Sequence, residues 1–154
     1  MRKAQLRMLH FRAVYEAPRD LARRQVLADW LLGQGDPHGE LIALQFDSSR
    51  LARARASKLL RRHRLQFLGA LAPYVVDHQA EVWEHGFLSR AVIHLGAVLI
   101  NAPSLATLTW ARVMTGDPRA FGSPWLRGLE TIEVHPRHAE VAAVTGAKVI
   151  GRYF

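Results

Sequence analysis

The chain contains no cysteine among its 154 residues. Disulfide bonds, metal sites built from thiolates and a cysteine nucleophile are therefore excluded. The sequence also has no long apolar run behind its charged N-terminus or elsewhere, so it predicts neither a signal peptide nor a membrane span. Because the absence of cysteine suits a reducing compartment, we expect a cytoplasmic protein.

Sequence signatures of catalysis are missing as well. There is no Gly-x-Ser-x-Gly motif and no spaced pair of carboxylates. His135 and His138 form a His-x-x-His pair, but Pro136 lies between them and no carboxylate is placed as in a zinc-binding helix. Lys148 follows Gly-Ala without the upstream glycine or the following hydroxyl residue of a phosphate loop. We therefore expect a protein with no enzymatic activity, no cofactor and no metal.

Three acidic residues near the first Gly-Asp-Pro turn, Asp29, Asp36 and Glu40, could in principle hold a hard cation. Structural roles explain two of them better, since Asp36 can cap a helix and Glu40 would lie in its first turn, where the helix dipole favours an acid. For Asp29 we expect a partner such as Arg24 or a backbone N–H of the turn.

Acidic residues are also absent from residues 48 to 76, where basic ones are concentrated. Of 21 Lys and Arg residues, 14 fall within the first 69 positions, which hold 6 of the 13 acids. At helical spacing the basic residues cover one broad face and leave a narrower apolar one. This predicts an amphipathic helix from a cap near Asp47 or Ser49 towards Gly69, with seven cations at Arg50, Arg53, Arg55, Lys58, Arg61, Arg62 and Arg64.

Such a basic helix allows three interpretations. It can be an ordinary solvated face, in which arginine stems cover apolar surface while their heads stay in water. It can bind the phosphates of a nucleic acid, which makes nucleic-acid binding the alternative function for this chain. An anionic membrane surface is the third, although the apolar face lacks the Trp and Phe density of interfacial helices.

Residues 18 to 45 predict a helical hairpin. Asp20 is a suitable N-cap, and an apolar stripe follows it at helical spacing. Two glycines supply the left-handed conformation that ends a helix, and Asp36 caps the next helix with Pro37 at its first position. The stripe comprises Val26, Leu27, Trp30 and Leu31, and the glycines are Gly33 and Gly35.

This segment resembles the bacterial repeat-companion family. The motifs that carry the resemblance are Ala28-Asp-Trp-Leu31, Gly35-Asp-Pro37, Gly39-Glu40 and Leu44-Gln45. Members of that family occur as sets of paralogues and are often fused to leucine-rich repeats, and the resemblance implies no reaction. The chain departs from the family pattern at three positions: Leu27 replaces the usual Tyr, and His38 and Ala43 each replace an Arg. Any ligand of those arginines would be lost here.

Beyond Pro73 the hydrophobic pattern alternates and repeats. The stretches 105–113 and 126–134 share a Leu-x-x-Leu-x-x-apolar-x-Val frame with an offset of 21 residues, and a weaker copy spans 141–149. Repeated frames of this length indicate short strands stacked as in leucine-rich repeats, with Gly86-Phe-Leu88 at the start. The frames lack the Asn or Cys of the regular motif, and chance spacing is the alternative.

The sequence thus predicts an α/β protein with two parts: a helical bundle over residues 1–84 and a short leucine-rich-repeat-like sheet over residues 86–154. The frames place six side chains in the core, those of Ala111, Val113, Ile132, Val134, Ala147 and Val149. Strand alternation then sends their neighbours to the opposite side. The residues expected there are His94, Trp110, Arg112, Thr131, Glu133, Lys148 and Ile150.

An aromatic residue and an arginine among mixed charges have the composition of a protein-binding hot spot. We therefore predict a noncatalytic protein-binding module, an adaptor or a component of a larger bacterial assembly. Its partner is another protein, and the predicted contact residues are His94, Trp110, Arg112, Glu133 and Lys148. A solvated sheet face, or one covered by another part of the chain, is the alternative.

Overall fold

A computed structural model describes residues 2–154 and shows an α/β fold with most of its helices in the N-terminal half, as predicted. The helices are α1 (Lys3–Glu16), α2 (Leu21–Leu32), α3 (Pro37–Phe46), α4 (Arg50–Leu68) and α5 (Ala139–Ala142). The strands are β1 (Val82–Glu84), β2 (Phe87–Leu95), β3 (Trp110–Gly116), β4 (Thr131–Val134) and β5 (Lys148–Gly151). They form one sheet in the order β1-β2-β3-β4-β5.

The chain divides into two compact units. The first contains the residues up to Gly69 together with Trp83–Phe87, and the second contains Ala70–Val82 and Leu88–Phe154. The sequence predicted a single division between residues 84 and 86, whereas the chain passes from one unit to the other three times.

Side-chain caps set the starts of α2, α3 and α4 in the first unit. Asp20 accepts hydrogen bonds from the backbone N–H groups of Ala22 and Arg23, and Asp36 accepts one from His38. Ser49 caps α4 by accepting from Ala52 N, and Gly69 ends that helix with a φ of +53°. Both caps of the predicted hairpin and the predicted extent of the basic helix are therefore confirmed.

The apolar stripe of α2 is only partly as predicted. Leu27 and Leu31 are fully buried and pack with Val14, Ile42 and Phe87. Val26 is 57% exposed, however, and Trp30 is only half-buried. The expectation for Val26 was wrong because α2 turns a narrower face inward than the hydrophobic pattern suggested.

The turn between α2 and α3 uses one of its two glycines for a left-handed conformation. Gly35 has a φ of +68°, as expected. Gly33 has a right-handed φ of −61°, so the prediction of a left-handed Gly33 was wrong. One left-handed residue suffices here because the N–H of Asp36 returns to Leu31 O and closes the turn.

Strands β2 to β5 of the second unit run parallel and follow one another in chain order. Ala111 pairs with Ile132 and Val113 with Val134, which confirms the predicted offset of 21 residues between the first two frames. All four of these side chains are buried.

The third frame was wrong by two residues. Ile132 pairs with Val149 rather than with Ala147, and Val144, an apolar position of this frame, is 64% exposed. Ala142 and Thr145 are buried instead. The third frame implied an offset of 15 residues from the second. The pairing of Thr131 with Lys148 shows an offset of 17, because the connection that contains α5 is two residues longer than the apolar pattern indicated.

Candidate functional site

One face of the parallel sheet carries two rows of side chains across β2 to β5. The first row consists of Arg90, Trp110, Thr131 and Lys148, and the second of Val92, Arg112, Glu133 and Ile150. Adjacent members of a row lie about 5 Å apart, which is the spacing of neighbouring strands. We call these eight residues, with Arg152 and Phe154 that follow β5, the strand face.

The indole ring of Trp110 lies between two guanidinium groups. The Arg90 Cζ atom is 4.8 Å and the Arg112 Cζ atom 5.6 Å from the ring centroid. Both distances are within the range of a cation–π interaction, which also restricts the rotamers of the two long side chains. Trp110 is half-buried, so part of the ring is open to solvent.

A buried carboxylate, that of Glu133, restrains Arg112 beside Trp110. The side chain of Glu133 is 7% exposed and accepts a hydrogen bond of 2.8 Å from Arg112 Nε. Its other oxygen lies 3.7 Å from Arg152 Nε. The Phe154 ring also packs 5.7 Å from the Arg112 guanidinium. Glu133 therefore fixes the position of Arg112, and we assign it to positioning rather than to contact with a partner.

The structure brings together most of the predicted contact residues. Trp110, Arg112, Glu133 and Lys148 share the strand face. His94 does not join them, because the register of β2 and β3 shifts after Ile93. It pairs instead with Thr115, whose hydroxyl oxygen is 2.7 Å from His94 Nδ1.

Two arginines of this face were not among the predicted residues. Arg90 lies two residues before Val92 on β2, so the two side chains point to the same side of the strand. Strand alternation could therefore have identified Arg90 from the sequence. Arg152 lies beyond the end of β5 and had no such signal. With them the strand face has four cations, Arg90, Arg112, Lys148 and Arg152, against one carboxylate, so it is more positive than the mixed charge expected from sequence.

The basic helix α4 has the predicted amphipathic form. Ala52, Ala56 and Phe67 are buried, and the side with the cations is largely exposed. Arg55 pairs with Glu40 at 2.8 Å. Within residues 2–154 no carboxylate lies within ion-pairing distance of Arg50, Arg53, Lys58, Arg61 or Arg62, while Arg64 is half-buried.

The acidic cluster at the hairpin turn does not gather around a common point. Asp36 caps α3 and pairs with Arg7, while Asp29 is exposed. Arg24, the partner expected for Asp29, donates instead to the carbonyls of Pro18 and Glu84 at 2.6 and 2.7 Å. That expectation was wrong because Arg24 is buried and both of its terminal nitrogens donate to backbone carbonyls. In the described part of the chain no three potential metal ligands lie together.

His38 is a buried polar residue whose role the sequence did not indicate. It is 4% exposed, its Nε2 donates to Gly86 O at 2.7 Å, and its ring packs against Phe11, Phe67 and Phe87 at centroid distances of 4.8 to 5.4 Å. Burial lowers the pKa of His38 to about 4, so the ring is neutral at physiological pH. The packing is that of a core residue.

Comparisons with protein-family models, curated proteins and solved structures found no match. Among the described helices, none combines the length and the apolar character needed to cross a bilayer.

Proposed function

We propose that this chain is a noncatalytic protein-binding module that captures an acidic partner surface on its strand face. The arrangement of Arg90, Trp110 and Arg112 over the buried Glu133 is the observation that carries the proposal. Tryptophan and arginine are the residues most enriched in binding hot spots, and here their side chains are held in place before a partner arrives.

The charge of the strand face selects the partner. Four cations surround a half-buried aromatic ring. They favour a partner surface on which carboxylates surround an apolar or aromatic side chain. Ile150 lies in the same row as Arg112 and adds apolar area to the patch. A protein surface offers such a mixture, whereas a nucleic acid would benefit most from a continuous run of cations.

We further propose that the second unit is a short relative of leucine-rich-repeat arrays and that the first is a repeat-companion domain. The first assignment is supported by the parallel strands, which follow one another in chain order. It is also supported by the buried leucines in the connections between the strands, Leu105, Leu108, Leu126 and Leu129. The Gly-Asp-Pro hairpin with its two caps supports the second. A rigid repeat surface of this kind suits an adaptor or a component of a larger assembly.

Substitutions on the strand face should abolish partner capture without unfolding the protein. We expect Trp110→Ala and Arg112→Ala each to weaken binding roughly 30-fold or more, as hot-spot residues do. The measurement is affinity capture from nuclease-treated bacterial lysate, followed by titration of the captured protein. Arg127→Ala, an exposed arginine of the same unit outside the strand face, is the matched control and should bind normally. Undiminished capture by both strand-face variants would refute the proposal.

A second candidate function is nucleic-acid binding through the basic helix α4. It is favoured by the five exposed cations Arg50, Arg53, Lys58, Arg61 and Arg62, which have no carboxylate at ion-pairing distance within residues 2–154. Such cations can release counterions from phosphates, which makes binding steeply dependent on salt.

If α4 contacts phosphates, affinity for duplex or single-stranded DNA should fall by orders of magnitude between about 50 and 200 mM salt. Arg61→Gln and Arg62→Gln should each lower the slope of log affinity against log salt by about one. Filter binding across a salt series measures both quantities. Arg55→Gln serves as the comparison, since Arg55 is already paired with Glu40 and should change the slope less. Affinity at low salt below the ordinary nonspecific level would exclude this candidate.

A further inference from the structure

A cleft in the first unit has the form of a small-molecule site. Its volume is about 400 Å³, within the range of ligand pockets in proteins. Leu44, Ala56, Leu60 and Trp83 provide apolar lining, and Arg53 and Ser57 of α4 stand on one side of it. It shares no residue with the strand face, so the inference does not rest on the proposed protein binding.

The wall opposite α4 is held firmly by one side chain. Gln45 donates from Nε2 to Trp83 O at 3.0 Å and accepts from Gly86 N at 2.6 Å. Between these two anchor points His85 adopts a φ of +47°, which is uncommon for a residue other than glycine, and its ring contacts Phe46 in a tilted arrangement with the ring centroids 4.4 Å apart. These hydrogen bonds restrain the wall formed by residues 83–86, which lowers the entropy that this wall would lose on binding.

Some charged groups around the cleft already have a hydrogen-bond or charge partner within the protein, and others do not. Asp47 accepts a hydrogen bond from Ser49 N at 2.8 Å, and the charge of Glu84 is opposed by the nearby guanidinium of Arg24. Among residues 2–154 no carboxylate pairs with Arg53, and the other cations of α4 add to the positive potential there. The lining therefore contains two carboxylates and one guanidinium, and Arg53 is the lining cation whose donors are free to pair with an anionic ligand.

We propose that this cleft binds a small aromatic molecule bearing a carboxylate or similar anionic group. The ring system occupies the apolar part beside Trp83, where aromatic pairs gain more than their buried area alone provides. The anion accepts charge-assisted hydrogen bonds from the Arg53 guanidinium, and the hydroxyl of Ser57 is close enough on α4 to line the same side.

The test uses two probes of equal shape, 2-naphthoate and the neutral 2-naphthylmethanol, titrated into the full chain by calorimetry. We expect 2-naphthoate to bind about tenfold more tightly, because one charge-assisted interaction distinguishes the two. Arg53→Gln should remove that difference. Arg61→Gln, which removes an equal charge from the same helix outside the cleft, should change the affinity less than about twofold.

A second variant tests the location. Ser57→Phe places a bulky side chain at an exposed rim position of the cleft and should abolish binding of both probes while circular dichroism stays unchanged. The proposal is overturned if 2-naphthoate produces no saturable heat up to millimolar concentration. It is equally overturned if binding persists in Ser57→Phe, which would place the probe elsewhere, for example in the cleft beside Trp30, or if Arg53→Gln and Arg61→Gln behave alike.

Discussion

Replacing Gly39 with alanine should destabilise the protein by about 3 kcal/mol, at the upper end of the cost of overpacking. A Cβ atom at this position would lie 2.7 Å from Leu32 N, 2.8 Å from Leu31 Cβ and 2.9 Å from Ala28 O. Two of the three are backbone atoms of α2, so the added methyl group can be accommodated only by moving α3 away from α2.

The sign of this result is informative, because helix propensity alone predicts the opposite. Within a helix, alanine is favoured over glycine by roughly 0.5 to 1 kcal/mol. Chemical denaturation of Gly39→Ala measures the balance. Gly122→Ala is the control, since its Cβ would meet nothing within 4 Å. It should change stability by less than about 0.5 kcal/mol. A Gly39→Ala variant as stable as the parent would show that α2 and α3 are not packed this closely.

Acid should weaken the fold through His38. Its pKa is lowered from 6.5 to about 4 by burial, so the folded state holds this ring neutral while the unfolded chain protonates it. The contribution is fully present above pH 6.5 and is lost as the pH falls from 6.5 towards 4. Over that interval the free energy of unfolding should drop by about 3 kcal/mol.

His38→Gln separates this effect from other acid-sensitive groups. The glutamine amide can still donate to Gly86 O, but it does not titrate. Urea unfolding at a series of pH values should therefore show a steep dependence between pH 6.5 and 4 in the parent and a much flatter one in the variant. Equal slopes in the two proteins would show that His38 is not the group responsible.

Local signals made the helices predictable from the sequence. The features that depend on tertiary packing were not predictable in this way. The caps at Asp20 and Asp36 were recognisable because a capping side chain acts on its own backbone within three residues. The close contact at Gly39 and the burial of His38 depend on segments far apart in the chain, including the Gly86 carbonyl 48 residues away. No periodic pattern within one helix reports such contacts.

The strand face was predictable to the extent that strands alternate regularly. Trp110, Arg112 and Glu133 were placed correctly because β3 and β4 keep an unbroken register. The prediction for His94 failed at the irregularity after Ile93. The third frame followed apolar residues of the connection, including Val144, which is 64% exposed, and so placed the last strand two residues too early. The hydrophobic pattern alone does not reveal either departure from the repeat.

Site-specific photocrosslinking tests the proposed strand face most directly. A benzophenone side chain at Thr131, between Trp110 and Lys148, would be compared with one at Leu51, a 72% exposed position on α4. Both proteins would be irradiated in nuclease-treated bacterial lysate. We predict a discrete protein adduct at Thr131 that Arg112→Ala eliminates, and none of comparable yield at Leu51. A discrete adduct at Leu51 with none at Thr131 would contradict the assignment of the strand face as the binding surface.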